Sequence, residues 1–244
     1  ETVNGISRQD LADYVTTWYV PNNLVVSVAG NVGHKEVAEL AEQLCGGRTP
    51  TELTAYLPAG PRTTGGPIIV ETRQITQANL ALAVRGLARK DPDRYVLSVF
   101  SNLLGAGMSS RLFKEVRERR GLAYSVGCGT ARYQDTGLLT AAAGVSPGNV
   151  VEATEVILAE FQKLVREPVE EEELTKSRDY SVGSFRLGLE DTMSVARWVG
   201  ESLITTGEVQ KVEDVVARLR SVSADDIQRM ARRLFVNNEL SIAL

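Results

Sequence analysis

The stretch LGAGMSSRLFKEVRERRGLAYSV, residues 104–126, decides the fold that this sequence predicts. A glycine ends one apolar helix, and after a short turn Ser109 or Ser110 is a suitable N-cap for a second helix over Arg111–Arg120. Gly121 then ends that helix, and the residues after it favour a strand. The stretch therefore predicts a helix, a turn, a helix and a strand in close succession.

The pattern extends in both directions from this stretch. Strands are predicted at Ala123–Tyr133 and Leu138–Val145, joined by the turn at residues 134–137. Hydrophobic periodicity and capping residues predict strands at Ile68–Thr72 and Ala78–Leu87, a helix from Asp91-Pro92 to Gly105, and helices at Val150–Leu164, Glu171–Leu189, Thr192–Thr205 and Val212–Leu219. This order of elements predicts an α+β fold, with a mixed, mainly antiparallel sheet covered by a helical layer.

The two ends of the chain repeat each other. The matched pairs are Ser7 and Ser223, Asp10 and Asp226, and Asn22 and Asn238, each 216 positions apart without a gap. In each copy a Ser N-cap opens an amphipathic helix, an Asn-containing turn ends it, and a strand follows, at Leu24–Ala29 and at Leu240–Leu244. The repetition predicts a duplicated domain, of which this chain holds the end of one copy and the whole of the next.

The domain boundaries follow from that repeat. Residues 1–46 are predicted to be the helix-strand-helix tail of the first repeat, residues 47–67 a linker rich in Pro, Gly and Thr, and residues 68–244 the complete second domain. The chain starts with Glu1 rather than Met, which indicates a cleaved or truncated product. Strand Leu24–Ala29 would lack its own sheet, so we expect it to dock on another edge, giving a homodimer or a domain swap.

Composition excludes several classes of function. Hydrophobic residues make up 43% and charged residues 24% of the 244 residues, and no apolar run is long enough for a membrane span. The net charge is -4 with scattered Lys and Arg, which argues against nucleic-acid binding. His34 is the only histidine in the sequence. A catalytic zinc needs several protein ligands, so this chain is predicted to bind no metal or other cofactor and to have no hydrolytic activity alone.

Residues along almost the whole chain resemble the second domain of the pitrilysin/insulinase family of zinc metallopeptidases. Within that family the sequence is most similar to bacterial relatives of mitochondrial processing peptidase. The resemblance is carried by residues 104–113, 116–118, 121–126, 135–137, 172–174 and 234–235, and at the start by residues 19–23 and 28–32. It implies a parent protein in which two duplicated domains enclose a chamber for unfolded peptides, in a bacterial cytoplasm or periplasm.

The resemblance also implies which residues act on the substrate. In the family the first domain carries an inverted zinc motif, H-x-x-E-H, which is absent here, so zinc is assigned to the parent or a partner. The second domain supplies an arginine and a tyrosine, matched by Arg117 for substrate binding and Tyr124 for substrate binding and support of the transition state. On spacing alone, Arg117 also suits a helix C-terminus and Tyr124 an ordinary strand position.

Two functions remain open from the sequence. The chain is either the non-metal-binding C-terminal half of a zinc endopeptidase, completed by an N-terminal catalytic half, or a non-catalytic subunit that pairs with an active sister chain. The second class includes subunits like the alpha chain of processing peptidase and the core proteins of respiratory complexes. The glycine-containing loop 104–108 is interpreted first as a helix-helix turn and second as a substrate contact. His34 and the run Glu170–Glu173 are interpreted as helix starts.

Overall fold

A computed structural model describes residues 2–53, 55–60, 68–70, 76–236 and 239–244. These residues form two compact units, one from Glu1–Pro58 with Arg186–Gln210 and the other from Ala59–Phe185 with Lys211–Leu244. The longer helices are α1 (Arg8–Trp18), α2 (His34–Cys45), α3 (Arg94–Gly105), α4 (Val150–Arg166), α5 (Glu171–Leu187), α6 (Thr192–Thr206), α7 (Val212–Arg220) and α8 (Ala224–Leu234). The strands are β1 (Ala78–Gly86), β2 (Ala123–Arg132), β3 (Gly137–Val145) and β4 (Ser241–Ala243).

The second unit is built on one antiparallel sheet in the order β2-β3-β1-β4. Strands β2 and β3 form the predicted hairpin, and β3 pairs with β1 along its whole length, from Ala78 opposite Val145 to Gly86 opposite Gly137. The short strand β4 adds to the other edge of β1. The α+β class and the mainly antiparallel sheet predicted from the sequence are confirmed.

Alternation along β1 directs one face of the sheet into the core. Leu80, Leu82 and Val84 are buried, and the residues between them are less so. Helices α3 and α4 contact the sheet, and α8 packs on both of them. Apolar side chains at helical spacing give each of these helices a buried face, which is the helical layer that the sequence predicts.

Aromatic rings mark the centre of that layer. Phe161 of α4 stacks on Phe235, just beyond α8, with ring centroids 4.2 Å apart, and the ring centroid of Phe100 of α3 lies 5.9 Å from that of Phe235. The three rings join three helices through one contact set, and such aromatic pairs stabilise a core beyond the area that they bury.

The end of α3 lies directly against the sheet. Gly105, its last residue, is buried, and a side chain there would overlap the backbone of Cys128 in β2. Only glycine allows this close approach without moving the strand. The following loop turns through Gly107, whose φ of 74° is in the left-handed region, so the predicted helix-helix turn is present.

The first unit holds α1, α2 and α6. Residues 24–29 are not part of the described sheet, although Leu24 has extended backbone angles, so the strand predicted at Leu24–Ala29 is not formed there. A strand needs a neighbour to share its backbone hydrogen bonds. Instead, the segment lies along α6, where the Ser27 hydroxyl donates to the carbonyl oxygen of Ala196 at 2.7 Å.

The repeated ends of the chain have the same local geometry. Ser7 and Ser223 each form a capping box with the aspartate three residues later. Helices α1 and α8 both have 11 residues, and the residue after each has nearly the same angles: φ -92° and ψ 60° at Tyr19, and φ -94° and ψ 64° at Phe235. Both N-caps predicted from the sequence are therefore confirmed.

Two predicted elements differ from the structure. Ile68–Val70, the described part of the strand predicted at Ile68–Thr72, are exposed and outside the sheet, and residues 71–72 lie outside the described residues. The helix predicted at Arg111–Arg120 starts as an α-helix but widens into a π-helix over Phe113–Glu118. The domain boundaries at residues 46 and 67 stay a prediction.

Candidate functional site

The candidate site lies where the π-helix ends and β2 begins. The Arg119 N–H donates to the Lys114 carbonyl at 2.8 Å, a bond across five residues that defines the wider helix. Gly121 has a φ of 62°, and beyond it the Leu122 N–H donates to the Val116 carbonyl at 2.9 Å. This ending matches the glycine stop predicted from the sequence and holds the start of β2 against the last turn of the π-helix.

Arg117 is exposed in that last turn. Its guanidinium lies over the ring of Phe113, 5.0 Å from the ring centroid, four residues earlier on the same helix. This contact orients the side chain without using its N–H donors. Within the described chain its guanidinium makes no hydrogen bond or ion pair, so its donors face solvent and are free for a ligand.

Tyr124 is the second residue of β2 and sits in a β-bulge. Ala123 pairs with Val145 and Ser125 with Gly144, so Tyr124 is the extra residue between two successive pairs. A bulge changes the direction of a side chain, and here the tyrosine is 71% exposed. No described group accepts or donates a hydrogen bond at its hydroxyl. A strand aromatic with only a packing role would be covered by its neighbours.

Arg117 and Tyr124 therefore lie on either side of the junction between the π-helix and β2. The bond from Leu122 to Val116 joins the residue just before Arg117 to a residue two positions before Tyr124. Both side chains are exposed and keep unused polar atoms, one as a fork of donors and the other as a hydroxyl. The two residues that the family resemblance singled out thus flank one backbone junction, and their joint role stays a prediction.

A buried ion-pair network anchors the start of this helix. The Arg111 guanidinium donates to both carboxylate oxygens of Glu173 on α5, at 2.8 and 2.7 Å, and lies 3.9 Å from the carboxylate of buried Glu160 on α4. Lys163 also pairs with Glu160. Burial alone would lower the pKa of Arg111, but the hydrogen bonds and charge of Glu173, with Glu160 and Glu167, raise it above its usual value.

Sequence reasoning missed this network, because Arg111 and Glu173 are 62 positions apart. It interpreted the run Glu170–Glu173 only as the start of α5, where residues 171–173 do lie. The signal in the sequence is an arginine at the very start of a helix, with two apolar residues between it and the next charge.

Comparison with known proteins shows the family of the chain. The family model described as the peptidase M16 inactive domain matches residues 5–180. This chain belongs to the peptidase M16 family. The match confirms the resemblance to this family of zinc metallopeptidases that the sequence predicted.

Relatives in the M16 family are longer than this chain. An uncharacterized zinc protease of Streptomyces coelicolor is 34% identical over 238 residues, which are 95% of this chain and 52% of the relative. An uncharacterized zinc protease of Bacillus subtilis is 29% identical, over 98% of this chain and 58% of its own length. The chain thus spans little more than half the length of these relatives.

A solved structure has the same fold. A protease from Helicobacter pylori superposes with a TM-score of 0.88 at 22% identity, over 98% of this chain and 59% of that one. At this identity the similarity shows the M16 fold and nothing of the reaction.

Candidate metal ligands are not clustered in the described part of this M16 chain. Residues that the structure describes include no group of three or more His, Cys, Asp and Glu side chains placed to hold a metal ion. His34 is the first residue of α2 and is exposed. Cys45 and Cys128 are free thiols, and burial raises the pKa of Cys128 to about 12. In the described part of the chain no helix is long and apolar enough to cross a membrane.

Proposed function

We propose that this chain is the non-metal-binding half of a zinc metalloendopeptidase, which forms part of a substrate chamber and contributes Arg117 and Tyr124 to peptide binding. One observation supports the proposal: two exposed polar side chains flank the junction of the π-helix and β2, and neither uses its polar atoms within the described chain. The relatives are named zinc proteases, which supports zinc-dependent proteolysis as the activity of the parent protein.

The chemistry of the pair fits an extended peptide. The guanidinium of Arg117 offers several N–H donors to backbone carbonyls or to a carboxylate. The hydroxyl of Tyr124 donates a hydrogen bond to the carbonyl oxygen that gains negative charge when the peptide bond is attacked. Tyr124 lies at the bulge and is exposed, so its hydroxyl is accessible to a ligand.

The residues of this chain do not fit a catalytic zinc site. A single histidine in the whole sequence cannot supply the usual set of nitrogen ligands, and the described residues offer no cluster of three donors. We therefore assign zinc to the N-terminal half of the parent or to a partner, and this chain alone is inactive in the proposal.

An uncovered apolar face on α1 supports the existence of such a partner half. Leu11, Tyr14 and Val15 are exposed on one side of this helix. Their counterparts in α8 are buried inside the second domain. In the proposal the first domain of the parent covers α1 as the second domain covers α8. The alternative is that a second copy of this chain covers the apolar face of α1, as a homodimer or a domain swap.

A non-catalytic subunit is the alternative function. A chain of complex III2 from Candida albicans has the same fold, with a TM-score of 0.78 at 17% identity over 99% of this chain and 59% of that one. The residues encoded before Glu1 separate the two functions. An H-x-x-E-H motif there supports the peptidase half, and its absence supports a subunit that pairs with an active sister chain.

Substitutions in the intact parent test the roles of the pair. We expect Tyr124→Phe to lower kcat/KM about 100-fold, since removal of one donor to a developing oxyanion has an effect of this order. Arg117→Ala is expected to raise KM more than it lowers kcat, because the guanidinium binds substrate and transition state alike. Zinc content, measured by metal analysis, should stay the same in both variants.

Matched controls come from the same two elements. Arg119→Ala removes an exposed arginine two residues after Arg117. Tyr133→Phe removes the hydroxyl of an exposed tyrosine at the far end of the β2–β3 hairpin. Both should leave the kinetics of the parent unchanged. Normal kinetics in Tyr124→Phe and Arg117→Ala, or equal losses in the controls, would refute the assignment.

A further inference from the structure

Two arginines contact the ring of Tyr95 and two more are joined to them by hydrogen bonds, at the opposite end of β2 from the candidate site. Arg94 lies 4.6 Å from the centroid of the tyrosine ring, and Arg218 of α7 lies 5.9 Å from it. Arg132, the last residue of β2, donates to the carbonyl of Arg94 at 3.4 Å, and Arg89 donates to the carbonyl of Arg132 at 3.0 Å. We call Arg89, Arg94, Arg132 and Arg218 the arginine cluster.

The arginine cluster has no carboxylate partner. None of its four members forms an ion pair with a described Asp or Glu. The nearest acidic residues in sequence, Asp91 and Asp93, are engaged by Arg229 and Arg233 of α8 at distances between 2.6 and 3.0 Å. The charge of the cluster is therefore uncompensated within the described chain.

Arg132 links Arg89 and Arg94 within the cluster. Its residue is largely covered, and the bond to Arg94 at 3.4 Å is the one hydrogen bond that its guanidinium makes within the described residues. Burial, followed by the positive charges of Arg89 and Arg94, lowers the pKa of Arg132. A covered charge with unused donors is unfavourable unless a ligand or solvent supplies acceptors.

Arg111 shows how the same fold treats a structural arginine. That guanidinium is also largely covered, but two hydrogen bonds to Glu173 and the nearby Glu160 compensate it, and its pKa is raised. The pKa of Arg132 changes in the opposite direction. Unlike Arg111, Arg132 has no described carboxylate that compensates its charge.

We propose that the arginine cluster binds a phosphate group. The donors of several neighbouring guanidiniums match the several acceptor oxygens of a tetrahedral dianion better than the two of a carboxylate. The stacked ring of Tyr95 holds two of the guanidiniums in place, which lowers the entropy lost on binding. The site lies in the second unit alone and is independent of the role proposed for Arg117 and Tyr124.

Thermal unfolding of the chain with and without inorganic phosphate tests the site. A ligand that binds the folded state raises Tm in a saturable way. Phosphate is compared with sodium chloride and sodium acetate at equal ionic strength, which removes screening and carboxylate binding as causes. A phosphate monoester, glycerol phosphate, is the second arm. Saturation at a lower concentration than phosphate identifies a phosphorylated molecule as the source, and the reverse order identifies free phosphate.

Substitutions then test whether phosphate binds at the arginine cluster. Arg132→Met keeps the length of the side chain and removes its charge, and it should weaken phosphate binding at least about tenfold, the loss expected for one charge-assisted fork. Without phosphate this variant should be as stable as the parent chain or more so, because repulsion within the cluster falls. Arg220→Met, which removes an exposed arginine from the same helix as Arg218, should bind phosphate normally.

Several outcomes would overturn the proposal. These are a Tm increase that chloride or acetate reproduces, an increase that Arg132→Met retains in full, or no saturable increase in the unsubstituted chain. If Arg132→Met fails to fold, Arg89→Met gives the same comparison from the rim of the cluster. Phosphorus NMR line broadening on the unsubstituted chain, reversed by excess pyrophosphate, then decides binding without any variant.

Discussion

Helices α1 and α8 begin with the same capping box and end in the same backbone turn, yet they differ completely in burial. Ile227 in α8 is 0% exposed, and its counterpart 216 positions earlier, Leu11 in α1, is 59% exposed. The same contrast holds at the three other apolar positions of the helix face, which are buried at Met230, Ala231 and Leu234 and uncovered or half-covered at Tyr14, Val15 and Trp18.

The comparison separates two levels of structure. Local sequence determines the helix and its caps, since eleven residues with a serine and an aspartate at the start give the same geometry twice. Burial depends on the rest of a domain, because α8 lies on α3 and α4 while α1 has no buried residue. Most of the stability of a helix comes from that packing.

Truncation of matched side chains gives the largest expected difference between the helices. Ile227→Ala should lower the free energy of unfolding by about 3 kcal/mol, because it leaves a cavity in a closed core. Leu11→Ala should change it by less than about 0.5 kcal/mol, as for other exposed positions. Urea unfolding followed by circular dichroism measures both.

The same pair in the intact parent tests the proposed partner half. If a first domain covers α1, Leu11→Ala becomes nearly as destabilising there as Ile227→Ala. A Leu11→Ala variant that stays neutral in the parent would show that α1 remains uncovered and would remove this support for the proposal.

Sequence patterns predicted what depends on neighbouring residues. Capping serines, the glycine at the end of the π-helix and the alternation along β1 gave the fold class and the order of most elements. They also placed Arg117 at a helix end and Tyr124 at a strand start. The family resemblance, not the spacing, singled out these two residues.

Features that depend on hydrogen-bond register or on distant partners could not be predicted. The π-helix results from a shift in hydrogen-bond register, and the bulge at Tyr124 is defined only by pairing with β3. The hydrogen bond between Arg111 and Glu173 joins two helices that are far apart in sequence. The strand predicted at Leu24–Ala29 has strand-like residues but no neighbouring strand, so pattern alone gave the wrong structure there.

Ion pairs provide the second difference between the helices. On α8, Arg229 binds both oxygens of Asp93, at 2.6 and 3.0 Å, and Arg233 binds Asp91 at 2.7 Å. The corresponding positions in α1 are Asp13 and Thr17, which form no such pair. Asp93→Asn should lower stability by about 1 kcal/mol at low salt and by less at high salt, since the pairs are partly exposed.

The pH dependence of stability should report the same ion pairs. Hydrogen bonding from Arg229 lowers the pKa of Asp93, and Arg229 with Ser223 lowers that of Asp226 to about 2. Because both carboxylates lose protons more easily in the folded protein, the unfolded chain binds more protons below a pH of about 4. Stability is then complete above that pH and is lost as the pH falls toward about 2.

Unfolding measured between these two pH values checks the sign. The slope of unfolding free energy against pH should be smaller in Asp93→Asn than in the unsubstituted chain. Asp13→Asn, at the position of α1 that matches Arg229, should leave the slope unchanged. Equal slopes in all three proteins would show that the ion pairs of α8 do not stabilise the fold.

The capping serines give the smallest effect and the closest match between the helices. Ser223→Ala should lower the global free energy of unfolding by about 1 kcal/mol, because the first turn of α8 loses an acceptor for the Asp226 N–H. Ser7→Ala removes the same bond to Asp10 in α1. Since α1 contributes no buried side chain, its effect should appear as faster amide hydrogen exchange in that helix, with the global transition unchanged. Ser→Thr at either position keeps the cap and should restore both readings. A global loss of equal size in Ser7→Ala and Ser223→Ala would mean that α1 folds as one cooperative unit with α8 despite its exposure.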